Sequence, residues 1–348
     1  MSKRASDRSV VNRHLTKYGI AEMVRVLSKH QLEGVVIAHN LRVVDGYNTV
    51  RYRLQRLVFY NSAAVMNLYL AKRPLMVFEQ KNNLARKFLY SLPSFVKWAS
   101  LMEDQGSLAM GPLHNPEIRY LVSGERIGPI TRRLFRHGAD SVGVRSRTIT
   151  AGWLASHYIS NNPRLPIKWL SLAGGSAIHA MFMINASAVD KQLLEFVDID
   201  INPKAIELAE KITQLAGLNR AKTQIVLGNI FDEQLLETVG CTDGIDIVDM
   251  LGILDYLDET QAEALVRLAY NRLKPDGLIL TSNMRPSHPQ FDLHKRGVGW
   301  PGVITKTVHQ IIAICQAAGV PLDLIDIYQP SDGVYNVVRL RKGRAKCI

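Results

Sequence analysis

The chain has 348 residues, long enough for two domains or for one large domain with an extension. A hydrophobic fraction of 47% beside 21% charged residues, with 24 Gly and 14 Pro, excludes a disordered, low-complexity or collagen-like chain. The net charge of +12 is unevenly placed: residues 1–150 hold 24 Lys and Arg against 10 Asp and Glu, and residues 151–348 hold 19 against 21. A basic module is thus joined to a near-neutral one of another kind.

The opening MSKRASDRSVVNRHLTK has no apolar h-region for a secretory signal, although its Arg and Ser content is also that of an organelle transit peptide. Residues 17–29 read as a short helix, and 33–48 (EGVVIAHNLRVVDGYN) as one or two β-rich segments closed by the turn dipeptide Asp45-Gly46. From 48 to 72 the apolar residues Val50, Leu54, Leu57, Val58, Val65, Leu68 and Tyr69 recur at helical spacing, flanked by Arg51, Arg53, Arg56, Lys72 and Arg73. A further helical stretch covers 80–102 with an interruption near Pro93, residues 106–129 read as an irregular connector, and a third basic helical pattern starts at Ile130.

Beyond Pro166, strands at 167–173, 193–200, 223–228, 244–251 and 277–283 alternate with helices at 178–188, 203–216, 232–239 and 259–273. Repeated βα units predict a mostly parallel sheet covered on both faces. The longest uncharged run, 169–189, contains Gly174, Gly175, His179 and Asn185, and fits a strand and helix better than a membrane span. A helix at 305–318 is followed by LDLIDIYQ and VYNVVRLRK, joined by Pro330, Ser331, Asp332 and Gly333, which predicts a closing antiparallel hairpin. The expected organisation is a mainly helical basic region over 1–140 and an α/β domain over 141–348. Cys241, Cys315 and Cys347 show neither CxxC nor Cys/His spacing, so no disulfide framework or metal site is expected and the cytoplasm is the expected location.

The first strand of the α/β part runs into Ala173-Gly174-Gly175-Ser176-Ala177 and then a helix. Small residues are needed where a ligand lies against the backbone at a strand-to-helix turn, where the helix N-terminus adds oriented N–H groups. They also serve tight packing of helix on sheet. In open parallel sheets ligands bind beyond the carboxyl ends of the strands. The second strand ends Asp198-Ile199-Asp200, placing a carboxylate to accept both hydroxyls of a ribose; an acid there, or Asn202, is equally suited to cap the next helix. The third ends Gly228-Asn229-Ile230, an amide beside a backbone N–H, suited to an adenine edge. An acid and an amide at successive strand ends point to a nucleoside site.

On these residues, and over 145–342, the sequence resembles the class I S-adenosylmethionine-dependent methyltransferases. SLAGGSA resembles the family's glycine-rich first motif, with Ala173 and Ala177 where glycines are usual. VDIDINPKAIELA resembles the acidic motif after strand two, GNIFD the adenine-contacting segment, IVDMLGILDYLDE the fourth-strand motif and LKPDGLILTSN the turn before strand five. The closing hairpin matches the antiparallel seventh strand that separates this fold from nicotinamide-binding Rossmann domains. The resemblance implies a Rossmann-like α/β fold, S-adenosyl-L-methionine as cofactor, and a cofactor site drawn from Ala173, Gly174, Gly175, Ser176, Ala177, Asp198, Asp200, Asn229, Ile230 and Leu251. Ala173 narrows the ligand's approach by a methyl group, and Asn229 keeps an acceptor oxygen without the usual charge. GILDYLDE, with GVRSR at 143–147, is similar to a bacterial subgroup with an LFDYL fourth-strand motif, some of whose members methylate the carboxyl group of a hydroxy fatty acid.

Methyl transfer from a sulfonium is an in-line displacement, in which alignment is worth about 7–11 kcal/mol. A carboxylate nucleophile is already ionised, whereas an alcohol or amine must lose a proton, for which a positioned base contributes about 10² to 10⁴-fold. Asp255 and Tyr256, after the fourth strand, and His288, in the loop after the fifth, are the catalytic candidates. Arg145 and His294 are the substrate-binding candidates, with Arg147 a second cation able to clamp a carboxylate. Their ordinary alternatives are a tyrosine packed beneath the loop, solvated histidines and a solvated helix face. No Asn/Asp-Pro-Pro-Tyr/Phe follows strand four, and no Pro-Cys or Thr-Cys pair lies near strands four or five. The usual signatures of nucleic-acid base methylation are missing.

The basic surplus is open to three readings: a cap or lid over substrate, contact with an anionic membrane or lipid, or a nucleic-acid footprint. The charges are spread over residues 1–150 and carry no RNA-module signature, which favours the first. The expectation is a cytoplasmic methyltransferase, peripheral at a membrane under the second reading, acting on a carboxylate or hydroxyl of an acyl or other anionic small molecule. An RNA methyltransferase and a non-catalytic cofactor-binding or assembly module are the alternatives.

Overall fold

The structure is a computed structural model that describes residues 20–44, 50–72, 83–103, 106–162, 166–187, 189–242 and 244–343. The leader-like start, the Asp45-Gly46 turn, Arg73 and Cys347 lie outside the described residues. A single helical turn, α1 (Ile20–Met23), leads into strands β1 (Val24–Arg25), β2 (Ser28–Leu32) and β3 (Val35–Val43). The helix expected over 17–29 is therefore confined, within the described residues, to that turn. The reason is a two-residue reversal: Glu33 and Gly34 take φ of 52° and 90°, Leu32 pairs with Val35, and the polar segment 28–32 is drawn into an antiparallel ladder.

The helices α2 (Val50–Ala71), α3 (Leu84–Tyr90), α4 (Pro93–Glu103), α5 (Gly111–His114), α6 (Pro129–His137) and α7 (Ala139–Asn161) follow. Pro93 opens α4 at its first position, where a missing N–H costs nothing. Helix α7 is the axis of the molecule, with nearly every side chain between Ala139 and Ala155 buried. Position 140/141, the expected boundary between the two regions, lies inside its first turn.

The second half comprises β4 (Lys168–Leu172), α8 (Ile178–Ala186), β5 (Glu195–Asp200), α9 (Pro203–Ala216), β6 (Thr223–Leu227), α10 (Glu233–Thr238), β7 (Ile245–Leu251), α11 (Glu259–Arg272), β8 (Leu273–Met284), α12 (Val308–Ala317), β9 (Ile325–Pro330) and β10 (Tyr335–Arg341). Reciprocal side-chain caps start α11 (Asp258 with Gln261) and α12 (Thr307 with Gln310). The sheet order is β1-β3-β9-β10-β8-β7-β4-β5-β6, with β2 also paired to β3. Strands β4 to β8 are mutually parallel, and β10 runs antiparallel between β8 and β9, as expected of the hairpin. Strand β3 adds parallel to β9, with Val36 opposite Asp326, so residues from the N-terminal part complete the same sheet.

Strand alternation divides the core into two layers. Leu170 and Leu172 of β4 join residues of α11 and α12 on one face, while Trp169 packs with residues of α7 and α8 on the other. A third cluster, including Phe95, Trp98, Leu113 and Phe135, forms a roof over the carboxyl ends of the strands.

Candidate active site

A cavity of about 590 Å³ lies between that roof and the carboxyl ends of β4, β5 and β7. Its floor is the loop after β4. Ala173 and Ala177 hold left-handed backbone, at φ of 54° and 57°, which costs a non-glycine residue about 1–2 kcal/mol and so must be enforced by the surrounding packing. A Cβ on Gly174 would overlap Asp198 and Ser171, and one on Gly175 would stand 2.9 Å from Ser107 Cβ in the roof. Neither glycine position has space for a side chain.

Asp200 lines this end of the cavity. Its Oδ2 accepts from the Gly175 N–H at 2.9 Å and its Oδ1 from the Asn202 N–H at 2.8 Å. Burial raises its pKa and these two donors work against that rise. A carboxylate has about four acceptor sites, so capacity remains toward the cavity. Asn229 Oδ1 accepts from the Phe231 N–H at 3.0 Å, shaping the loop after β6, where Asn229, Ile230 and Phe231 all line the cavity. Above them Ser107 Oγ is buried without a hydrogen-bond partner.

Asp198 lies beneath the loop rather than in the cavity. Asp249 at its side takes hydrogen bonds from Trp169 Nε1 (2.6 Å) and the Ser171 hydroxyl (3.1 Å) and pairs with His179 Nε2 (2.8 Å). Asp198 itself is fully buried with neither carboxyl oxygen bonded. Burial first, then the charges of Asp249 and Asp200, raise its pKa well above the usual carboxylate value and favour the neutral acid.

The opposite end of the cavity has an apolar wall that includes Met102, Met110, Leu113, Val144, Met284 and Trp300. Asp255 Oδ1 accepts from Asn283 Nδ2 (2.9 Å) and the Met284 N–H (2.7 Å), while Arg147 Nη1 stands 3.7 Å from Oδ2. Burial pushes the Asp255 pKa up to about 6, against the pull of the Arg147 charge. The Arg147 guanidinium lies 4.5 Å above the Tyr335 ring centre. Tyr256 OH accepts from Trp300 Nε1 at 2.6 Å, and burial pushes its pKa up to about 12, which makes it a poor base near neutrality. His114, also at the wall, is kept neutral: burial, then the neighbouring His179, Arg147 and Arg145, lower its pKa well below 6.5.

Two histidines meet one carboxylate. Asp140 Oδ1 lies 2.9 Å from His294 Nδ1 and 3.0 Å from His288 Nε2. His288 Nδ1 accepts from the Gln290 N–H at 3.0 Å, so both of its nitrogens are committed. His294 Nε2 is buried, has no partner, and belongs to a ring that lines the cavity. Burial lowers the His294 pKa, but the charge and hydrogen bond of Asp140 more than offset it and the net shift is upward. Burial likewise opposes the Asp140 charge, yet the two histidines hold its carboxyl well below the usual range.

Of the residues expected from sequence, Ala173, Gly174, Gly175, Ser176, Asp200, Asn229, Ile230, Leu251, Asp255, Tyr256 and His294 line this one cavity. Four do not. Ala177 is buried at the start of α8, and Asp198 is beneath the loop. His288 stands behind His294 as the second partner of Asp140. Arg145 is neither a substrate clamp nor a solvated side chain: its Nη1 donates to the Leu113 and Phe135 carbonyls (3.0 and 3.1 Å) and its Nη2 to that of Arg136 (2.7 Å), tying α5 to α6. Asp140, His114, Ser107 and Trp300 escaped the sequence reading. Asp140 is legible as a first-turn acid of α7, but no spacing links it to residues 288 and 294. Among the described residues, no group of three or more His, Cys, Asp or Glu could hold a metal ion, and no helix is long and apolar enough to cross a membrane.

No protein-family model matches the sequence, and no curated protein does. Solved structures match by fold. A possible exported protein from Bordetella parapertussis superposes with a TM-score of 0.54 at 17% identity, covering 84% of this chain and 97% of that one. An O-methyltransferase family 2 protein from Planctomyces limnophilus, in complex with apigenin, gives 0.45 at 15% identity, covering 85% and 97%. An O-methyltransferase family protein from Burkholderia thailandensis gives 0.44 at 16%, covering 86% and 99%. At these identities the likeness concerns the fold alone: a mixed α/β architecture with a mostly parallel sheet and a C-terminal antiparallel hairpin.

Proposed function

We propose that this chain is an S-adenosyl-L-methionine-dependent methyltransferase acting on a hydroxyl group of a compact, largely apolar small molecule. The observation that carries the proposal is that one cavity joins the bare glycine loop and Asp200 at one end to the unpartnered Nε2 of His294 at the other. The residues fit the cofactor. Gly174 lets the loop lie close over Asp198 and Gly175 leaves the backbone open on the side facing Ser107, Asp200 retains acceptor capacity for ribose hydroxyls, and the orphaned Ser107 Oγ faces a ligand that would satisfy it. Asn229 and Ile230, both lining the cavity, would meet an adenine edge.

When bound, the sulfonium supplies an electrophilic methyl group. The chain's own residues prepare the acceptor. His294 Nε2 takes the hydroxyl proton as the oxygen becomes nucleophilic, and Asp140, already hydrogen-bonded to Nδ1, stabilises the imidazolium that results. His288 holds Asp140 from behind. Met102, Leu113 and Trp300 exclude water from the reacting oxygen. Arg147 and Asp255, of opposite charge, orient polar substituents of the substrate.

Titration calorimetry with S-adenosylhomocysteine tests the cofactor, and no heat at millimolar ligand sinks the proposal. Radiolabel transfer from S-adenosylmethionine to a panel of phenols, alcohols and carboxylic acids tests the acceptor. His294→Ala should lower transfer to hydroxyl acceptors by about 10² to 10⁴-fold. Transfer to acids alone, insensitive to His294 and lost on Arg147→Met, would replace the hydroxyl by a carboxylate. Steeply salt-dependent RNA binding with label entering RNA would replace the small molecule.

A further inference from the structure

Arg145 and Arg147 leave the same helix, α7, and end in opposite conditions. Arg145 is tied to three backbone carbonyls. Arg147 lines the cavity with its side chain only 6% exposed, and among the described residues it makes no hydrogen bond: Nε is buried without a partner, and the ion pair of Nη1 with Asp255 Oδ2, at 3.7 Å, is too long to be one. A guanidinium carries five N–H donors, and burying it without acceptors for them is costly. The surroundings fix the group without satisfying it. Its Cζ lies 4.5 Å from the Tyr335 ring centre, and a Cβ on Gly252 would stand 2.9 Å from Nη1 and 3.0 Å from Nη2. A buried, immobilised and unbonded guanidinium at a cavity wall suits a ligand that brings two acceptors in one plane, and a carboxylate is the closest match to that fork.

Position in the sheet says which ligand. Gly252 follows β7 and Tyr335 opens β10, and both strands lie on the far side of β4 from β5, which ends in Asp200. At about 4.8 Å per strand, Arg147 stands roughly 10–19 Å from the ribose end of the cavity. It belongs to the end where Asp255 also feels the charge of His294. We infer that the methyl acceptor is a hydroxy acid, its carboxylate held by Arg147 and left unmethylated while its hydroxyl meets His294 Nε2. This rests on the reading of the cavity as a methyltransferase site. The hydroxyl oxygen gains the methyl group, the C–S bond breaking as the C–O bond forms, its proton goes to His294, and the carboxylate is unchanged. Asp255 is the group that must adapt. Arg147, Lys306 and His294 favour its ionised form, burial opposes it, and the outcome is a pKa of about 6. His114 and Tyr256, the other titratable side chains that feel Arg147 at this wall, are uncharged near neutrality. A ligand carboxylate adds a like charge beside Asp255, which then takes up a proton and offers an O–H to the ligand.

Titration calorimetry of the full chain tests this, with the isomeric hydroxybenzoates and their neutral amides as probes. At least one acid should bind about 10- to 100-fold more tightly than its amide, the worth of hydrogen bonds to a charged group, and Arg147→Met should erase the preference. Asp255→Asn imitates the protonated acid and should bind the hydroxybenzoate at about pH 7.5 at least as tightly as wild type. Label transferred from S-adenosylmethionine should appear in an alkali-stable methoxy acid. Acids bound no better than amides by wild type overturn the inference, and this comparison needs no variant to fold. So does an Asp255→Asn that weakens acid binding as much as Arg147→Met, which would make the two a structural ion pair, and so does an alkali-labile methyl ester as product. If Arg147→Met weakens S-adenosylhomocysteine but not methylthioadenosine, Arg147 serves the cofactor's own carboxylate and the inference falls. S-adenosylhomocysteine binding without acid preference sinks the inference alone. Acid preference without S-adenosylhomocysteine binding keeps the carboxylate site and sinks the methyltransferase reading, and with it the acceptor role.

Discussion

Replacing Asp140 by Asn keeps the shape of the side chain and removes the carboxylate that His288 and His294 share. Opposite charges about 4 Å apart interact by about 4 kcal/mol at an effective dielectric constant of about 20, equivalent to about three pKa units. In wild type burial is the largest single influence on His294, but this attraction, the Asp140 hydrogen bond and a smaller contribution from Asp255 together outweigh it, so its pKa lies above 6.5. Without the carboxylate, burial should prevail and the His294 pKa should fall below 6.5. The measurement is an NMR titration of the imidazole resonances in histidine-labelled protein, with His294→Gln giving the assignment. The same change has a consequence for stability. A histidine with a raised folded pKa contributes stability that is fully present below the unfolded pKa and is lost as pH rises through the folded one. Asp140→Asn should therefore cost more stability, relative to wild type, at about pH 6 than at about pH 8. A His294 pKa in the variant equal to or above that of wild type would refute the pairing, and the base role with it.

Asp200→Ala should weaken S-adenosylhomocysteine binding by about 10- to 100-fold, the worth of one or two hydrogen bonds to a charged group, and an unchanged affinity in calorimetry would remove Asp200 from the ribose role. Gly174→Ala should cost about 1–3 kcal/mol in urea unfolding because its Cβ overlaps Asp198. At least half of that cost should vanish in an Asp198→Ala background, and equal costs in both backgrounds would show that Asp198 does not sit under the loop. Arg145→Met strands the Leu113, Phe135 and Arg136 carbonyls, and should lower stability by about 2–5 kcal/mol. A calorimetric melt identical to wild type would show that Arg145 is not a tie.

The α/β half was legible because each strand, turn and helix announces itself: an apolar run, then small or capping residues, then a helical period. Loop Ala173 to Ala177 and the ends of β5 and β6 could be found in this way. What local pattern could not supply was depth. Asp198 and Asp200 share a face of β5 by alternation, and only the overlying glycine loop buries the first and leaves the second at the cavity. His288 and His294 are close in sequence, yet a π-helical turn at Leu293–Val298 turns one toward the cavity while the other stays behind it. Arg145 and Arg147, two residues apart on α7, point to different sides by helix geometry alone, a distinction the spacing already contained. The helix expected over 17–29 gives way to β2 at Ser28 because polar side chains suit an exposed edge strand as well as a helix, and the Glu33-Gly34 reversal decides between them.

The pairing of β3 with β9 bears on how such a chain is made. Val36 is made 290 residues before Asp326, yet they lie side by side in one parallel ladder. Until β9 is made, β3 holds an edge whose neighbour does not yet exist, an edge of the kind that recruits strands from other nascent chains. Contacts so distant in sequence close slowly. Trimming the chain from either end would leave the same gap open, so a shortened version is expected to aggregate before it could report on chemistry.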